Sequence, residues 1–338
     1  MSRDAARPLS ARPARRPRAR RPMPALAFAL CLLAACSHGG AAADTQGEAR
    51  RALDLPDGSS VEVPQHARRI VPASAGLVDF VTELVPPERL AGLPEQARRY
   101  SGRRLPGDPY LARPNFSAYT AESVLALRPD LVLCSRWQLA DTAARLREAG
   151  VAVVLVDASE RLPEIFDALR LVGRAVGEEQ RAEECIAQLE QRVEALTVAT
   201  AGRPARRALV YTNGGTGGWI ATAGTTAHEF LRLAGLRDAG AEAGHEGHVR
   251  CDYEELLRLD PELLIMARPD AEGEQGGTAR LVLGEPALAG LRAVRENGLI
   301  ELPSWLFSST SQHVVTAAEA LVAQLRAREP ATADESLR

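Results

Sequence analysis

The tryptophans of this chain occur where a ligand would be bound. All three follow predicted strands: Trp137 after Leu-Val-Leu-Cys, Trp219 after a glycine-rich turn, and Trp305 after Ile-Glu-Leu-Pro. Ligands of open α/β sheets bind outside the carboxyl ends of the strands, and an indole ring there offers a flat apolar wall to a bulky ligand. The alternative for any single ring is that it caps the edge of a sheet. Because aromatic residues form only 4% of the chain, we expect all three to line one cleft.

Arginines occur in the same loops. Arg136 adjoins Trp137, and Arg268 follows a later apolar strand. Guanidinium groups bind carboxylate or catecholate oxygens through paired hydrogen bonds, so these two arginines are predicted to contact anionic oxygens of a ligand. The complete predicted ligand-binding set is Ser74, Tyr100, Tyr110, Phe116, Arg136, Trp137, Asn213, Trp219, Arg268 and Trp305.

No catalytic pattern accompanies these residues. The sequence has no Gly-x-Ser-x-Gly elbow, no His-Glu-x-x-His motif and no paired catalytic carboxylates. The glycine-rich run 213–218 lacks the lysine of a phosphate-binding loop and is interpreted as a turn that allows close approach. His245 and His248 have no third metal ligand nearby in the sequence. We therefore predict a protein that is not an enzyme, with no catalytic residue and no metal site.

The first residues form a targeting segment. The net charge of the chain is −3, and residues 1–35 carry eight arginines and one acid, or +7; subtracting this leaves −10 for the rest. An acidic body argues against binding to nucleic acid. The apolar stretch 23–35 is too short to cross a membrane. It ends at Leu-Ala-Ala-Cys36, which predicts a lipoprotein signal peptide at 1–35, lipidation of Cys36 and a flexible tether at 36–49. An ordinary signal peptide is the alternative.

One unit of sequence occurs twice. Residues 122–134 and 254–266 share Glu, Leu, Leu, Pro and Leu in the same register, beginning at Glu122 and Glu254. Each copy predicts a short amphipathic helix that ends at proline and an apolar strand after it. Two equivalent units this far apart predict two similar lobes with a cleft between them.

Helices and strands alternate within each predicted lobe, which favours mostly parallel sheets with helices on both faces. The predicted domains are an N-terminal lobe at 50–160, a helical linker at 161–202, a C-terminal lobe at 203–329 and a disordered tail at 330–338. Predicted helices are 75–84, 140–149, 226–233 and 314–326, and predicted strands are 70–73, 90–92, 151–156, 208–212 and 299–302, after a hairpin within 52–63.

Several segments together resemble a known family. They are the lipobox, Glu-x-x-Leu-x-Leu-x-Pro-Asp-Leu-Val-Leu, the linking helix, and the runs at 224–236, 241–249 and 306–315. They resemble the periplasmic substrate-binding lipoproteins of ABC importers for iron-siderophores, haem and vitamin B12. The resemblance covers residues 50–327 in order and is specific to the family rather than to one ligand.

The resemblance implies an α/β fold of two Rossmann-like lobes with mostly parallel sheets joined by a long linking helix, the class III architecture of periplasmic binding proteins. It implies an exported, lipid-anchored monomer that delivers an iron chelate, haem or corrinoid to an ABC permease and its ATPase, with no intrinsic cofactor. Glu122 and Glu254 would dock against permease arginines. Two alternatives stay open: a binder of free Zn or Mn, and a sensor or structural lipoprotein with the same fold.

Overall fold

The fold is described from a computed structural model. It describes residues 49–328, apart from 104, 106, 136–137, 139, 158–159, 214, 216 and 270–276. The predictions for the signal peptide, for Cys36 and for the C-terminal tail lie outside these residues. No helix in the described part of the chain combines the length and apolar character needed to cross a membrane.

The N-terminal lobe is built on a three-stranded parallel sheet with the order β3-β6-β7. An antiparallel hairpin precedes this sheet, as predicted. The elements are β1 (Arg50–Asp54), β2 (Ser60–Pro64), β3 (Ile70–Pro72), α1 (Ala75–Leu84), β4 (Leu93–Pro94), α2 (Ala97–Tyr100), β5 (Asn115–Phe116), α3 (Ala121–Leu125), β6 (Leu131–Ser135), α4 (Ala140–Glu148) and β7 (Ala152–Val156).

Two helices connect the lobes: α5 (Leu162–Val176) and α6 (Glu179–Thr200). The second is a 22-residue helix that lies within the predicted linker at 161–202. It is joined to both lobes, because Arg181 donates to the carbonyl of Glu83 at the end of α1, whereas Arg192 donates to Glu319 at 2.7 Å. A helix that is fixed at both ends restricts the movement of one lobe against the other.

The C-terminal lobe has a mixed sheet with the order β11-β9-β8-β12-β13, and β10 also pairs with β8. Strands β8, β12 and β13 are parallel, whereas β9 and β11 are antiparallel to their neighbours. The elements are β8 (Arg207–Asn213), β9 (Gly218–Ala221), α7 (Thr226–Leu233), β10 (Arg237–Asp238), α8 (Ala239–Glu242), β11 (His248–Cys251), α9 (Tyr253–Leu259), β12 (Leu263–Arg268), α10 (Thr278–Gly284), α11 (Arg292–Arg295), β13 (Leu299–Pro303), α12 (Ser304–Phe307) and α13 (His313–Ala327).

The repeated sequence unit folds in the same way in both lobes. Each copy forms a short helix, α3 or α9, followed by a central parallel strand, β6 or β12. The turn between them passes through a left-handed residue at the equivalent position, Arg128 with φ 48° and Asp260 with φ 38°. The prediction of two equivalent units is therefore confirmed down to the backbone of the turn.

The strand predicted near 90–92 forms slightly later in the chain, at Leu93–Pro94. Leu90 forms an isolated bridge with Ile70, and the regular pairing is between β4 and β5. The segment 94–117, for which no helix or strand was predicted, contains α2, β5 and a 3-10 helix at Pro109–Ala112. Its short elements depend on contacts with α1. No local pattern in the sequence predicts these contacts.

The lobes share one hydrophobic core. The largest cluster of buried side chains runs from α1 and β3 through α5 and α6 to α7 and α13. Two smaller clusters of buried side chains lie on the outer faces of the two sheets, one in each lobe. Since packed interiors resist deformation, this shared core holds the two lobes at a defined angle around the space between them.

Candidate functional site

A cavity with a volume of about 550 Å³ lies between the lobes. The carboxyl ends of β6 and β7 reach it through Ser135 and Val156, and the starts of α1 and α7 reach it from either side. Its lining residues are Ser74, Ala75, Gly76, Leu77, Phe80, Gln96, Tyr100, Ser135, Val156, Asp157, Glu160, Gly224, Thr225, Thr226, Gly247, His248, Ser308 and Thr310.

Hydroxyl groups dominate the polar part of this lining. Two of them cap helices that point at the cavity: Ser74 Oγ accepts from Leu77 N, and Thr225 Oγ1 accepts from His228 N, both at 3.3 Å. Such caps satisfy backbone donors that would otherwise lack partners at a helix start. The remaining hydroxyls and the amide of Gln96 can bind carbonyl, amide or hydroxamate groups of a ligand.

A buried carboxyl group fastens the lobes on one side of the cavity. Asp79 of α1 is 2% exposed and accepts hydrogen bonds from Gly102 N at 2.8 Å and from the Ser311 hydroxyl at 2.9 Å. Burial raises the pKa of Asp79 to about 7, although these two hydrogen bonds lower it. His313 lies 3.7 Å from the same carboxyl group, and burial lowers its pKa to about 4.

A second buried carboxylate joins the C-terminal lobe to the linking helices. Glu229 of α7 is 4% exposed and accepts from Leu162 N, at the start of α5, at 3.1 Å. Arg232 donates to the same side chain at 2.8 Å. Both joints therefore combine a buried carboxyl group with a donor far away in sequence.

Two of the predicted ligand-binding residues, Ser74 and Tyr100, line the cavity together. Tyr110 is buried instead, and its hydroxyl donates to the carbonyls of Thr82 and Val85. Phe116 is buried in the outer core of the N-terminal lobe. Arg136 and Trp137 lie outside the described residues.

The other predicted residues belong to the C-terminal lobe, and the structure does not bring them into the cavity lining. Asn213 donates to the hydroxyl of Tyr253 and accepts from Gly215 N. Arg268 is exposed at the end of β12. Trp305 packs edge-on against His313, with ring centroids 5.0 Å apart.

Trp219 lies beside the cavity rather than in it. Its side chain is 54% exposed, and its strand partner on β11 is Arg250. His248, which lines the cavity, is two residues from Arg250 and therefore lies on the same face of the sheet. Diagonal neighbours on one face are about 7–8 Å apart, so Trp219 and His248 are neighbours on this face.

Sequence reasoning missed most of the lining. Gln96, Thr225, Thr226, Ser308 and Thr310 are small or polar residues in loops and at helix starts. The available signal was the accumulation of Ser and Thr just after predicted strands and before predicted helices. His245 contacts Glu255 at 2.6 Å, whereas His248 lines the cavity. Among the described residues, no three of His, Cys, Asp or Glu form a group suited to a metal ion.

Two α/β lobes around an inter-lobe cavity define a two-lobed binding protein. The sequence matches the family described as periplasmic binding protein over residues 81–306. The chain belongs to this family, which confirms the resemblance found in the sequence.

Individual relatives are distant. An uncharacterized ABC transporter substrate-binding lipoprotein, YvrC of Bacillus subtilis, is 20% identical over 214 residues, covering 59% of this chain and 63% of that protein. A cobalamin-binding protein of Halobacterium salinarum is 26% identical over 150 residues, covering 44% of this chain and 40% of the relative. The matches thus span less than two thirds of the length of these relatives.

Among solved structures, the apo form of the periplasmic heme-binding protein RhuT from Roseiflexus sp. RS-1 is similar, with a TM-score of 0.66 and 24% identity. The similarity covers 76% of this chain and 97% of that one. Together with the sheets and linking helices, it establishes the class III architecture predicted from the sequence.

Proposed function

We propose that this protein is the substrate-binding component of an ABC importer and captures an iron chelate or a corrinoid between its lobes. The observation that carries the proposal is the inter-lobe cavity, which residues of both lobes line and which the carboxyl ends of β6 and β7 reach. A volume of about 550 Å³ falls in the range of small-molecule sites. The ligands named for the relatives, cobalamin and haem, support the same class of cargo.

Ligand titration tests this proposal. Purified protein is titrated with ferric siderophores, haemin and cobalamin while its tryptophan fluorescence and melting temperature are followed. A ligand that binds the folded state raises the apparent stability by mass action, by about 2.7 kcal/mol at a hundredfold excess over Kd. A folded protein that responds to none of these ligands would contradict the proposal.

A blocking variant ties the response to the cavity. Ser308 is exposed and lines the cavity, so Ser308→Trp fills the space without disturbing the core. Thr197→Trp places the same ring on the exposed face of α6 and is the matched control. The first change should abolish binding, and the second should leave it intact.

Docking to the permease is proposed at Glu122 and Glu254. Each is exposed and is the second residue of its helix, α3 or α9. Within the described residues, neither carboxylate has an ion-pair partner in its own chain, so both are available to basic groups of another protein. Charge reversal, Glu122→Arg with Glu254→Arg, should abolish uptake in cells while ligand affinity stays unchanged. Unaltered uptake would remove this role.

Anchoring at the cell envelope is proposed through a lipid on Cys36, which follows the predicted signal peptide. Radiolabelled fatty acid should be incorporated into the protein expressed in a bacterial host, and Cys36→Ser should remove the label. Label that persists in the variant would contradict lipidation at this residue.

A further inference from the structure

One buried carboxyl group connects three segments that line the cavity. Asp79 lies in α1, and its side chain accepts from Gly102 N at 2.8 Å and from the Ser311 hydroxyl at 2.9 Å. Gly102 belongs to the segment that begins with α2, and Ser311 belongs to the segment before α13. In the order of these three segments, the lining residues that they supply are Gly76 and Phe80, Gln96 and Tyr100, and Ser308 and Thr310.

The titratable groups around Asp79 come from each of these segments. His313, at the start of α13, has Nε2 3.7 Å from Oδ1 of Asp79. Arg103 follows Gly102, and Glu83 lies one turn further along α1. Burial raises the pKa of Asp79 to about 7 and outweighs Arg103, which lowers it, whereas Glu83 raises it slightly. The carboxyl group therefore stays protonated at a pH where an exposed aspartate is ionised.

His313 carries the second titratable group of this contact. Burial lowers the pKa of its imidazole to about 4, and Arg192 of α6 and Arg103 lower it further. Between about pH 4 and 7 the imidazole is neutral and Asp79 keeps its proton. When that proton leaves, a full negative charge remains on a side chain that is 2% exposed. Such a charge is costly without a charged partner, and the cost falls if the segments separate and water enters.

The width of the cavity is sensitive to this contact. Gly76, one turn before Asp79 in α1, packs so closely against Thr310 that a methyl group at Gly76 would overlap Thr310 Oγ1. His313 packs in the same way against the second segment, because a methyl group at Gly102 would lie 2.7 Å from its Nε2. A small separation at Asp79 therefore moves residues that line the cavity.

We propose that Asp79 and His313 form a proton-dependent latch, which holds the cavity at the width that its ligand requires while Asp79 is protonated and weakens ligand binding when that proton is lost. This inference rests on the proposed function and adds a regulation of the same site. Linkage between two sites is reciprocal. A ligand that requires the closed latch should therefore make Asp79 hold its proton more tightly, so that binding takes up protons near neutral pH.

Ligand affinity measured against pH tests the latch. The probes are cyanocobalamin and a neutral cyclic ferric trihydroxamate, whose charges do not change between pH 6 and 8.5. We expect Kd to rise about tenfold or more across this range, because only the protonated fraction of the protein binds well. Asp79→Asn stays neutral and should bind with nearly the same affinity throughout. Asp141→Asn, at an exposed position of α4, is the matched control and should keep the pH dependence of the parent.

Two further measurements respond to the proton rather than to packing. The Ser311 hydroxyl lowers the pKa of Asp79, so Ser311→Ala should move the fall in affinity to higher pH. Calorimetry at pH 7.5 in buffers of different ionisation enthalpy should show an uptake of about half a proton per ligand bound by the parent. The same measurement on Asp79→Asn should show none.

The outcomes separate the latch from the proposed function. An affinity that does not change with pH, or a pH dependence that persists in Asp79→Asn, would overturn the latch and leave the proposed function standing. If haemin alone binds, its proton uptake is compared between the parent and Asp79→Asn, which cancels the ionisation of haemin itself, and equal uptake would overturn the latch. Failure of cyanocobalamin, the trihydroxamate and haemin to bind at any pH would overturn both.

Discussion

The Ser311 hydroxyl donates a hydrogen bond to Oδ2 of Asp79 at 2.9 Å, across 232 residues of sequence. This bond joins α1 to the segment that precedes α13. The same two segments supply Gly76, Phe80, Ser308 and Thr310 to the cavity. The Asp79–Ser311 hydrogen bond and this part of the cavity wall therefore belong to the same contact between two segments. A change at the hydrogen bond reaches the cavity within a single turn of helix.

The joint makes stability depend on pH in a defined direction. Asp79 has a pKa of about 7 in the fold and 3.8 as its ordinary value, so the folded state holds the proton longer than the unfolded chain. Stability contributed by protonated Asp79 is present at low pH and is lost as pH rises through about 4 to 7. The loss above pH 7 is of the order of 4 kcal/mol.

The substitution Asp79→Asn should remove this loss of stability at high pH. The amide stays neutral, and its oxygen can still accept from Gly102 N. Its NH₂ group can donate to the Ser311 hydroxyl, which lies 3.2 Å from that of Ser309 and can donate there instead. We expect the variant to melt at a higher temperature than the parent at pH 8 and at nearly the same temperature at pH 4. Parallel melting curves across this range would contradict the assignment.

His313 has the opposite effect on how stability changes with pH. Its pKa falls from 6.5 to about 4, chiefly through burial, with Arg192 and Arg103 adding to the effect. The folded state therefore binds fewer protons than the unfolded chain between about pH 4 and 6.5, and stability rises with pH across that window. The rise offsets the fall due to Asp79. His313→Gln should expose a steady fall in unfolding free energy from pH 4 to 7, measured by denaturant titration. A flat profile for this variant would show that Asp79 does not titrate there.

The repeated turn offers a matched pair of substitutions. Arg128 and Asp260 hold equivalent left-handed positions, which cost most side chains about 1 kcal/mol and glycine almost nothing. Arg128→Gly should therefore stabilise the protein by about this amount. Asp260→Gly should not, because Asp260 Oδ1 accepts from Arg292 N at 2.8 Å and aspartate tolerates this conformation. Chemical denaturation of both variants measures the difference, and equal stabilisation of the two would contradict the account.

The sequence predicted the elements better than the site. Helices α1 and α7 occur at their predicted bounds because apolar spacing and a capping residue, Ser74 or Thr225, define each start locally. Tyr110 could not be placed in this way. Its hydroxyl donates hydrogen bonds to carbonyls at the end of α1, 25 and 28 residues away. No local pattern in the sequence predicts such a contact. Trp305 could not be placed from local sequence either, because its contact with His313 depends on the position of α13.

The most specific prediction for the site concerns Gly76, where α1 meets the segment before α13. A methyl group at Gly76 would overlap Thr310 Oγ1, and both residues line the cavity. Gly76→Ala should therefore push the two segments apart, weaken ligand binding about tenfold or more, and cost about 1–3 kcal/mol of stability through overpacking. Thr310→Ala removes the overlapping oxygen, so the double variant should recover part of both losses. Additive effects in the double-mutant cycle, measured by calorimetry and melting, would show that the two residues do not press on each other. Coupling would instead show that the close approach of a glycine in α1 sets the width of the cavity.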